Sequence, residues 1–270
     1  MVVQHNMAAS NANRQLGIST NTLSKSTEKL SSGYRINVQQ MMTAGLSISE
    51  KMRSQIRGLN KASSNAQDGI SAIQTAEGAL NEAHSILQRM NELATQSAND
   101  TNTTADRTAV QSEVNALTNE LSRIASTSQF NTQNLLDGTF TGKNLQVGAL
   151  ENQKITISIG TMNAKALGVG SLNVKSFTKA GSAMTLIQKA ISKVSGQRSD
   201  LGALQNRLEH TVNNLDNISE NTQTAESRIR DTDMASEMVQ YSATSIIQQA
   251  GQSMLAQANS QTQGVLSLIQ

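Results

Sequence analysis

Apolar residues recur every three to four positions over long stretches of this sequence, and no proline interrupts them. Such spacing places one apolar stripe along an α-helix, and proline is the residue that would break the helix. The longest stripe alternates steps of three and four, as in a coiled-coil seam. Its members are Leu201, Leu204, Leu208, Thr211, Leu215, Ile218, Thr222, Ala225, Ile229 and Thr232. The same register continues through Val239, Ala243, Ile246 and Ala250, which predicts that the seam extends beyond residue 232.

Two further stripes predict two more helices, separated by a polar stretch at 99–104. The first consists of Ile56, Leu59, Ala66, Ile70, Ile73, Leu80, Leu87 and Met90, and the second of Val110, Val114, Leu117, Leu121 and Ile124. We therefore expect helices at about 45–98, 105–127 and 184–230. These helices must pack together, because none of them can bury its own stripe.

The middle of the chain has a different period. Six glycines lie between 138 and 170, and Ile155, Ile157 and Ile159 alternate with polar residues. A period of two is typical of a half-buried strand. The sequence therefore predicts a small β-hairpin region at about 140–175.

The composition favours a thin helical bundle and argues against several functions. With no Trp or Cys, three Phe and two Tyr, burial must come from aliphatic side chains, and no disulfide framework is possible. The net charge is only +2, and no basic run with interleaved aromatic residues indicates nucleic-acid binding. No apolar stretch approaches the ~18 residues that suggest a membrane span, so no membrane insertion is expected. The N-terminus also lacks the pattern of a secretory signal.

No catalytic or metal-binding arrangement is predicted. His5, His84 and His210 are isolated and do not form a His-Glu-x-x-His motif. The sequence also lacks a glycine loop between a strand and a helix, which phosphate binding would need, and a nucleophile with an adjacent base. We therefore expect no enzyme activity, no cofactor and no metal ion.

Narrow apolar stripes lie near both ends of the sequence. One consists of Leu16, Leu23 and Leu30, and the other of Ile246, Ile247, Leu255, Val265, Leu266, Leu268 and Ile269. Both segments are diluted with Asn, Gln and Ser, so neither is expected to fold firmly alone. Paired with each other they would still expose one face. We therefore expect these residues to be buried against other copies of the same chain.

Long motifs in this sequence, in the same order, resemble those of bacterial flagellin. In the first half they are SNANRQLG (10–17), EKLSSGYRIN (28–37), GLSISEKMRSQIRGLNKASSNAQDGISAIQTAEGAL (45–80), QRMNELATQSAN (88–99) and SQFNTQNLLDG (128–138). In the second half they are RSDLGALQNRLEHTVNNL (198–215), SRIRDTDMA (227–235), QQAGQSMLAQAN (248–259) and VLSLIQ (265–270). The resemblance extends over nearly the whole chain.

The resemblance implies a mainly α fold: a long antiparallel helical, coiled-coil rod with a small β-hairpin region and paired terminal helices. Residues 1–43 and 231–270 would form the inner helical layer of a filament, and residues 44–230 the rod of the next layer. The sequence passes almost directly from the β region to the last rod helix. It therefore resembles a minimal flagellin without variable outer domains.

The resemblance also implies a function, namely self-assembly into the helical homopolymer of the flagellar filament, for motility. Implied partners are an export chaperone, the type III export gate, the filament cap and the hook-junction proteins. Export by that route would place the protein outside the cell without a signal peptide. Two alternatives remain open. One is the related junction protein between hook and filament, and the other is a coiled-coil signalling hairpin such as the cytoplasmic part of a chemoreceptor, which would need sustained heptads in both arms.

One segment departs from the flagellin pattern. Residues 38–43 read Val-Gln-Gln-Met-Met-Thr, where flagellins usually carry a segment of the same length like Ser-Ala-Ala-Asp-Asp-Ala. Moving one nucleotide along codons such as AGT GCA GCA GAT GAT gives Val-Gln-Gln-Met-Met. Our hypothesis is a compensated pair of frameshifts, either a mutation or a sequencing error. The intact mass of the native protein distinguishes these two origins.

Five residues match the flagellin patch that is bound by the animal Toll-like receptor for flagella: Leu87, Gln88, Arg89, Leu93 and Glu113. The resemblance therefore implies that this host receptor binds here. Packing against a neighbouring subunit is the alternative role for the same face. Asn91 occupies a position that often holds Arg in potent flagellins, which places strong receptor activation in doubt.

Overall fold

The computed structural model describes residues 6–37 and 43–269, with side chains at all of these positions except 43 and 262–269. The helices within these ranges are α1 (Met7–Ser32), α2 (Thr43–Ser97), α3 (Thr104–Thr127), α4 (Ala164–Leu167), α5 (Phe177–Arg230) and α6 (Met234–Ile269). The strands are β1 (Gln129–Phe130), β2 (Gln133–Asn134), β3 (Lys143–Gln146) and β4 (Lys154–Ile157). The prediction of a mainly α chain with a small antiparallel β region is confirmed.

The polar stretch between α2 and α3 ends one helix and starts the next. At the start of α3, the Thr103 side chain accepts a hydrogen bond from the backbone of Asp106 at 3.3 Å. In return, the Asp106 carboxylate accepts one from the Thr103 backbone at 2.9 Å, which completes a capping box. The hydrogen bonds from Thr103 hold the pKa of Asp106 below its ordinary value.

The chain divides into two compact units. We call residues 55–220 the core unit, and residues 1–54 with 221–270 the paired-helix unit. The boundaries between the units lie inside α2 and α5. The division into filament layers at 43/44 and 230/231, which follows from the resemblance, remains a prediction.

The core unit buries the apolar stripes of α2, α3 and α5. In α5, Leu201, Leu208 and Leu215 are buried at a spacing of seven residues, whereas Ile218 is 41% exposed. The side chains with the least exposed surface include Ile73, Leu80, Leu87, Met90, Leu93, Leu121, Ile187 and Leu201. As the stripes predict, buried residues of all three helices and of the β region belong to one hydrophobic cluster.

The β region consists of two antiparallel pairs, β1 with β2 and β3 with β4. Ile155, Ile157 and Ile159 are 4%, 1% and 0% exposed, so the predicted alternation is confirmed. Leu145 in β3 packs onto α2 at Gly69, where an added Cβ would lie 2.2 Å from the Leu145 Cδ1 atom. Glycine at this position leaves room for the Leu145 side chain against α2. The short helix α4 was not predicted.

A buried glutamine fixes the segment that leads into α5. The Gln111 amide of α3 donates to the Leu172 carbonyl at 2.9 Å and accepts from the Val174 backbone N–H at 2.7 Å. The Ser97 hydroxyl at the end of α2 donates to the Val174 carbonyl. These bonds satisfy backbone groups in a segment that has no regular secondary structure.

The predicted continuation of the α5 seam into α6 is wrong. Helix α5 ends at Arg230 and α6 begins at Met234. Between them, Thr232 donates its backbone N–H to the Gly33 carbonyl at 2.9 Å. Val239 and Ile246, which would continue the seam, are 71% and 66% exposed.

Candidate assembly surface

Helices α1 and α6 pair in antiparallel orientation within the paired-helix unit. At one end, the Asn6 side chain donates to the Ala258 carbonyl at 2.9 Å. At the other end, the Lys29 Nζ atom lies 3.4 Å from a carboxylate oxygen of Glu237. Low residue numbers in α1 therefore meet high numbers in α6, as expected for antiparallel helices.

The contact between these two helices is unusually polar. Its most buried side chains are Ser19, Ser26, Glu237 and Thr244, which are at most 8% exposed. Apolar packing comes from half-buried leucines, and these are Leu16, Leu23, Leu30 and Leu255. Since stabilisation scales with the apolar area removed from water, this pairing stabilises the unit only weakly.

Most of the described apolar side chains of α6 instead face solvent. In a helical projection with about 100° per residue, six of them fall within a sector of roughly 100°. The centre of that sector lies about 110° around the helix axis from Thr244, which is buried in the contact with α1. We call this set the outer stripe: Val239, Ala243, Ile246, Ile247, Ala250 and Met254. Ile246 and Met254 are 66% and 64% exposed. Contiguous exposed apolar surface of this kind marks a site of association.

The predicted assembly residues fall into three groups. Leu16, Leu23, Leu30 and Leu255 are half-buried along the α1–α6 contact, and Ile246 and Ile247 belong to the outer stripe. Val265, Leu266, Leu268 and Ile269 lie outside the residues whose side chains are described. Sequence reasoning assigned Val239, Ala243 and Ala250 to an internal seam and missed Met254. The spacing that revealed the stripe does not reveal which partner covers it.

The structure separates the predicted receptor-binding residues by depth. Leu87 and Leu93 are 0% and 2% exposed and lie in the hydrophobic core. Gln88, Arg89 and Glu113 are exposed above them. The receptor role of these residues remains a prediction. Because Leu87 and Leu93 are buried, they would support the exposed residues above them and would not themselves contact a receptor that binds without changing this fold.

Arg89 joins α2 to α3 on this surface. Its Nε and Nη2 atoms lie 3.0 and 2.9 Å from one carboxylate oxygen of Glu113, and its Nη1 atom lies 3.1 Å from Glu92. The hydrogen bonds with Glu113, followed by those with Glu92, raise the pKa of the guanidinium. The arginine therefore stays charged and holds two carboxylates on one exposed face.

The described residues provide no site for a metal ion. Within 6–37 and 43–269, no group of three or more His, Cys, Asp and Glu side chains is arranged to hold one. The Nε2 atom of His84 lies 3.0 Å from the amide nitrogen of Gln88, and His5 lies outside the described residues. No helix in the same ranges is long and apolar enough to cross a membrane.

Comparison with protein families assigns both halves of the chain. Residues 3–141 match the bacterial flagellin N-terminal helical region, and residues 184–269 match the bacterial flagellin C-terminal helical region. The chain belongs to the bacterial flagellin family. The resemblance noted from the sequence motifs is thereby confirmed, and the chemoreceptor alternative is excluded.

Relatives of this flagellin-family chain match it from end to end. It is 54% identical over 271 residues to a flagellin of Halalkalibacterium halodurans, with 100% of both chains covered. It is 50% identical over 285 residues to the flagellar filament 33 kDa core protein of Treponema phagedenis, again with 100% of both chains covered.

Solved structures also share the fold. The crystal structure of Bacillus cereus flagellin is 34% identical, with a TM-score of 0.50 over 56% of this chain and 88% of that chain. A putative flagellar hook-associated protein from Vibrio parahaemolyticus has a TM-score of 0.59 at 12% identity, covering 71% of this chain and 100% of that one. At that identity the second likeness shows the fold alone.

Proposed function

We propose that this chain is the structural subunit of a flagellar filament and that it polymerises by burying the outer stripe of α6 against other copies. The observation that carries the proposal is the inverted arrangement of α6, which is polar towards α1 and apolar towards solvent. Such an arrangement is unfavourable in an isolated chain and becomes favourable when a neighbour covers the stripe. Repeated contacts between different faces of identical subunits produce an open helical polymer, and the names of the relatives agree with that outcome.

Seeded polymerisation of the purified chain, followed by light scattering and electron microscopy, tests the proposal. The variant Ile246→Gln with Ile247→Gln keeps helix propensity and makes the outer stripe polar. We expect it to form no filaments, as we also expect of a chain that lacks residues 231–270. The control, Met238→Gln with Ala256→Gln, places the same side chain at two exposed positions of α6 that lie about 130° around the helix from the centre of the outer stripe. Growth of the first variant at the wild-type rate would contradict the proposal.

We further propose that the subunit leaves the cell through the flagellar type III apparatus, with an export chaperone and the export gate as partners. Outside the cell it meets the hook-junction and cap proteins and functions in motility, as a structural component and not as an enzyme. Family membership supports this route. In cells that lack the export gate, we expect the chain to be missing from the medium and retained inside. Equal amounts in the medium with and without the gate would exclude this route.

We infer a second, host-directed interaction from the exposed pair Arg89 and Glu113, which belongs to the predicted receptor surface. Arg89→Asp places a third acidic group beside Glu92 and Glu113 and is expected to abolish binding to the purified receptor ectodomain, measured by surface plasmon resonance. Arg123→Asp is the matched control, since Arg123 is also exposed and paired, with Glu120 at 2.6 Å. Equal affinities of the two variants would remove Arg89 from the receptor site.

A further inference from the structure

Charge is strongly segregated along the core unit. Between Glu151 and Asp200 the sequence contains seven basic residues and no acidic one, namely Lys154, Lys165, Lys175, Lys179, Lys189, Lys193 and Arg198. Between residues 67 and 122 it contains eight acidic residues and only Arg89 and Arg107 as basic ones. Net charges of +7 and −6 in two segments are large beside the +2 of the whole chain.

The fold gathers part of the basic segment on one face. At about 100° per residue, Lys179, Lys189 and Lys193 fall within roughly 80° of the circumference of α5. The Lys193 ammonium donates to the Ala166 carbonyl at 3.0 Å, which brings α4, the helix that carries Lys165, beside Lys193. We call these four lysines the basic face.

All four lysines of the basic face are exposed. Among the described residues, none of them has a carboxylate within 4.0 Å. Leu186, which is 40% exposed, lies on the same side of α5 between Lys179 and Lys189. The face therefore combines unneutralised positive charge with an apolar contact point.

An acidic counterpart lies on α2 and α3. Glu82 and Glu92 are exposed on the solvent side of α2, and Glu113 is tied to Glu92 through Arg89. One arginine shared by two carboxylates leaves negative charge in excess. Glu82 has no cationic group within 4.0 Å in the part of the chain that the structure describes. We call Glu82, Glu92 and Glu113 the acidic face.

We propose that the basic face of one copy docks on the acidic face of the next copy, and that this contact steers subunits into the growing polymer. This inference rests on the proposed function as a filament subunit. A contact between two different faces of the same chain repeats without closing, as a helical polymer requires. Complementary charge raises association rates and selects the correct register more than it raises affinity.

A second copy fits these observations better than an unrelated polyanion. A polyanion would satisfy the lysines of the basic face and leave the acidic face unmatched. A second copy satisfies both faces at once, and each subunit added presents the same pair of faces to the next. The near-neutral total charge of the chain is consistent with faces that compensate one another between copies.

Charge reversal with reciprocal rescue tests the inference. One variant is Lys179→Glu with Lys189→Glu, the second is Glu82→Lys with Glu92→Lys, and the third combines all four substitutions. Elongation is measured in about 0.05 M salt, from seeds made of the same variant. We expect the elongation rate of each double variant to be about tenfold lower than that of wild type, because two faces of like charge then meet between copies. The fourfold variant restores opposite charges at every contact and is expected to regain most of the wild-type rate.

The control variant, Lys61→Glu with Lys143→Glu, changes the net charge as much as the first variant at exposed lysines outside the basic face. We expect it to elongate like wild type. Wild-type elongation should also slow as salt rises to about 0.5 M, since screening weakens the attraction. Double variants that elongate normally, a fourfold variant that stays slow, or a wild-type rate indifferent to salt would each overturn the inference. Absence of wild-type filaments would instead overturn the proposed function.

Discussion

The core unit and the paired-helix unit use the same three-to-four spacing of apolar residues in opposite ways. In the core unit, Leu80 and Leu87 are fully buried by helices of the same chain. In the paired-helix unit, Ser19 and Ser26 are buried and Ile246 is exposed. One unit can therefore be stabilised within a single chain, whereas the other leaves apolar side chains of α6 exposed. Helical periodicity specifies where a stripe lies and does not specify whether the partner is internal.

The largest expected effect comes from removing matched leucines from the two units. Leu80→Ala should lower the free energy of unfolding of the core unit by about 2–5 kcal/mol, because Leu80 is fully buried and its loss leaves a cavity. Leu23→Ala should lower the stability of the paired-helix unit by about 1 kcal/mol or less, since Leu23 is only half-buried. Urea denaturation followed by circular dichroism measures the first value, and hydrogen exchange of α1 amides measures the second. Equal costs would show that the two units are packed alike.

The next effect concerns a polar group inside the core unit. Gln111→Ala removes both hydrogen bonds from the side chain to the 172–174 segment and leaves the Leu172 carbonyl and Val174 N–H buried without them. We expect a loss of about 2–3 kcal/mol, from the cost of unsatisfied buried groups. Urea denaturation measures it, and exchange of the Val174 amide should accelerate. Asn115→Ala, which removes only the partner of the Gln111 amide within α3 at 2.9 Å, should cost much less.

A smaller effect of opposite sign is expected at the α1–α6 contact. Ser19→Ala with Ser26→Ala keeps both side chains small and raises helix propensity, by about 0.5 kcal/mol at each site. The pair should therefore become more stable by about 1 kcal/mol, seen as slower hydrogen exchange along α1. The same substitutions at exposed Ser24 and Ser31 provide the control for propensity alone. A gain limited to the control would mean that the buried serines contribute specific interactions.

The smallest effect is a pH dependence at the start of α3. Because Thr103 lowers the pKa of Asp106, ionised Asp106 favours the folded state. This contribution is complete above the unfolded pKa of about 3.9 and is lost as pH falls through the lower folded pKa. Urea midpoints of wild type and Asp106→Asn should therefore differ at pH 7 and converge at strongly acidic pH. A difference that persists in acid would assign the effect to the shape of the side chain and not to its charge.

Much of the core unit could be predicted from the sequence. The stripes placed α2, α3 and the α5 seam, and the alternation around Ile157 placed β4, since each pattern has one period and one buried face. The start of α5 at Phe177 was missed because its first turns lack large apolar residues in the expected register. Gln111 was also missed, since a single polar residue gives no periodic signal of what it will bond.

The candidate surfaces were harder to predict. Ile246 and Ile247 of the outer stripe were predicted to contact other copies, whereas Val239, Ala243 and Ala250 were noticed only as a continuation of the α5 register. Their spacing does not show that α5 ends at Arg230 and that a separate helix begins at Met234. The basic face was missed, although Lys179, Lys189 and Lys193 share one side of α5 by helix periodicity alone. Lys165 joins them only through the contact of α4 with α5, and no local sequence pattern encodes that contact.

The placement of methionine has a consequence for chemical durability. Met254 in the outer stripe is 64% exposed, whereas Met90 in the core unit is 0% exposed. Oxidants reach exposed thioethers and convert them to sulfoxides, which are polar and are reduced back only by dedicated enzymes. A subunit oxidised at Met254 would carry a polar group into a contact that favours apolar side chains. Oxidative damage would therefore act first on the joining of subunits and leave the folded core intact.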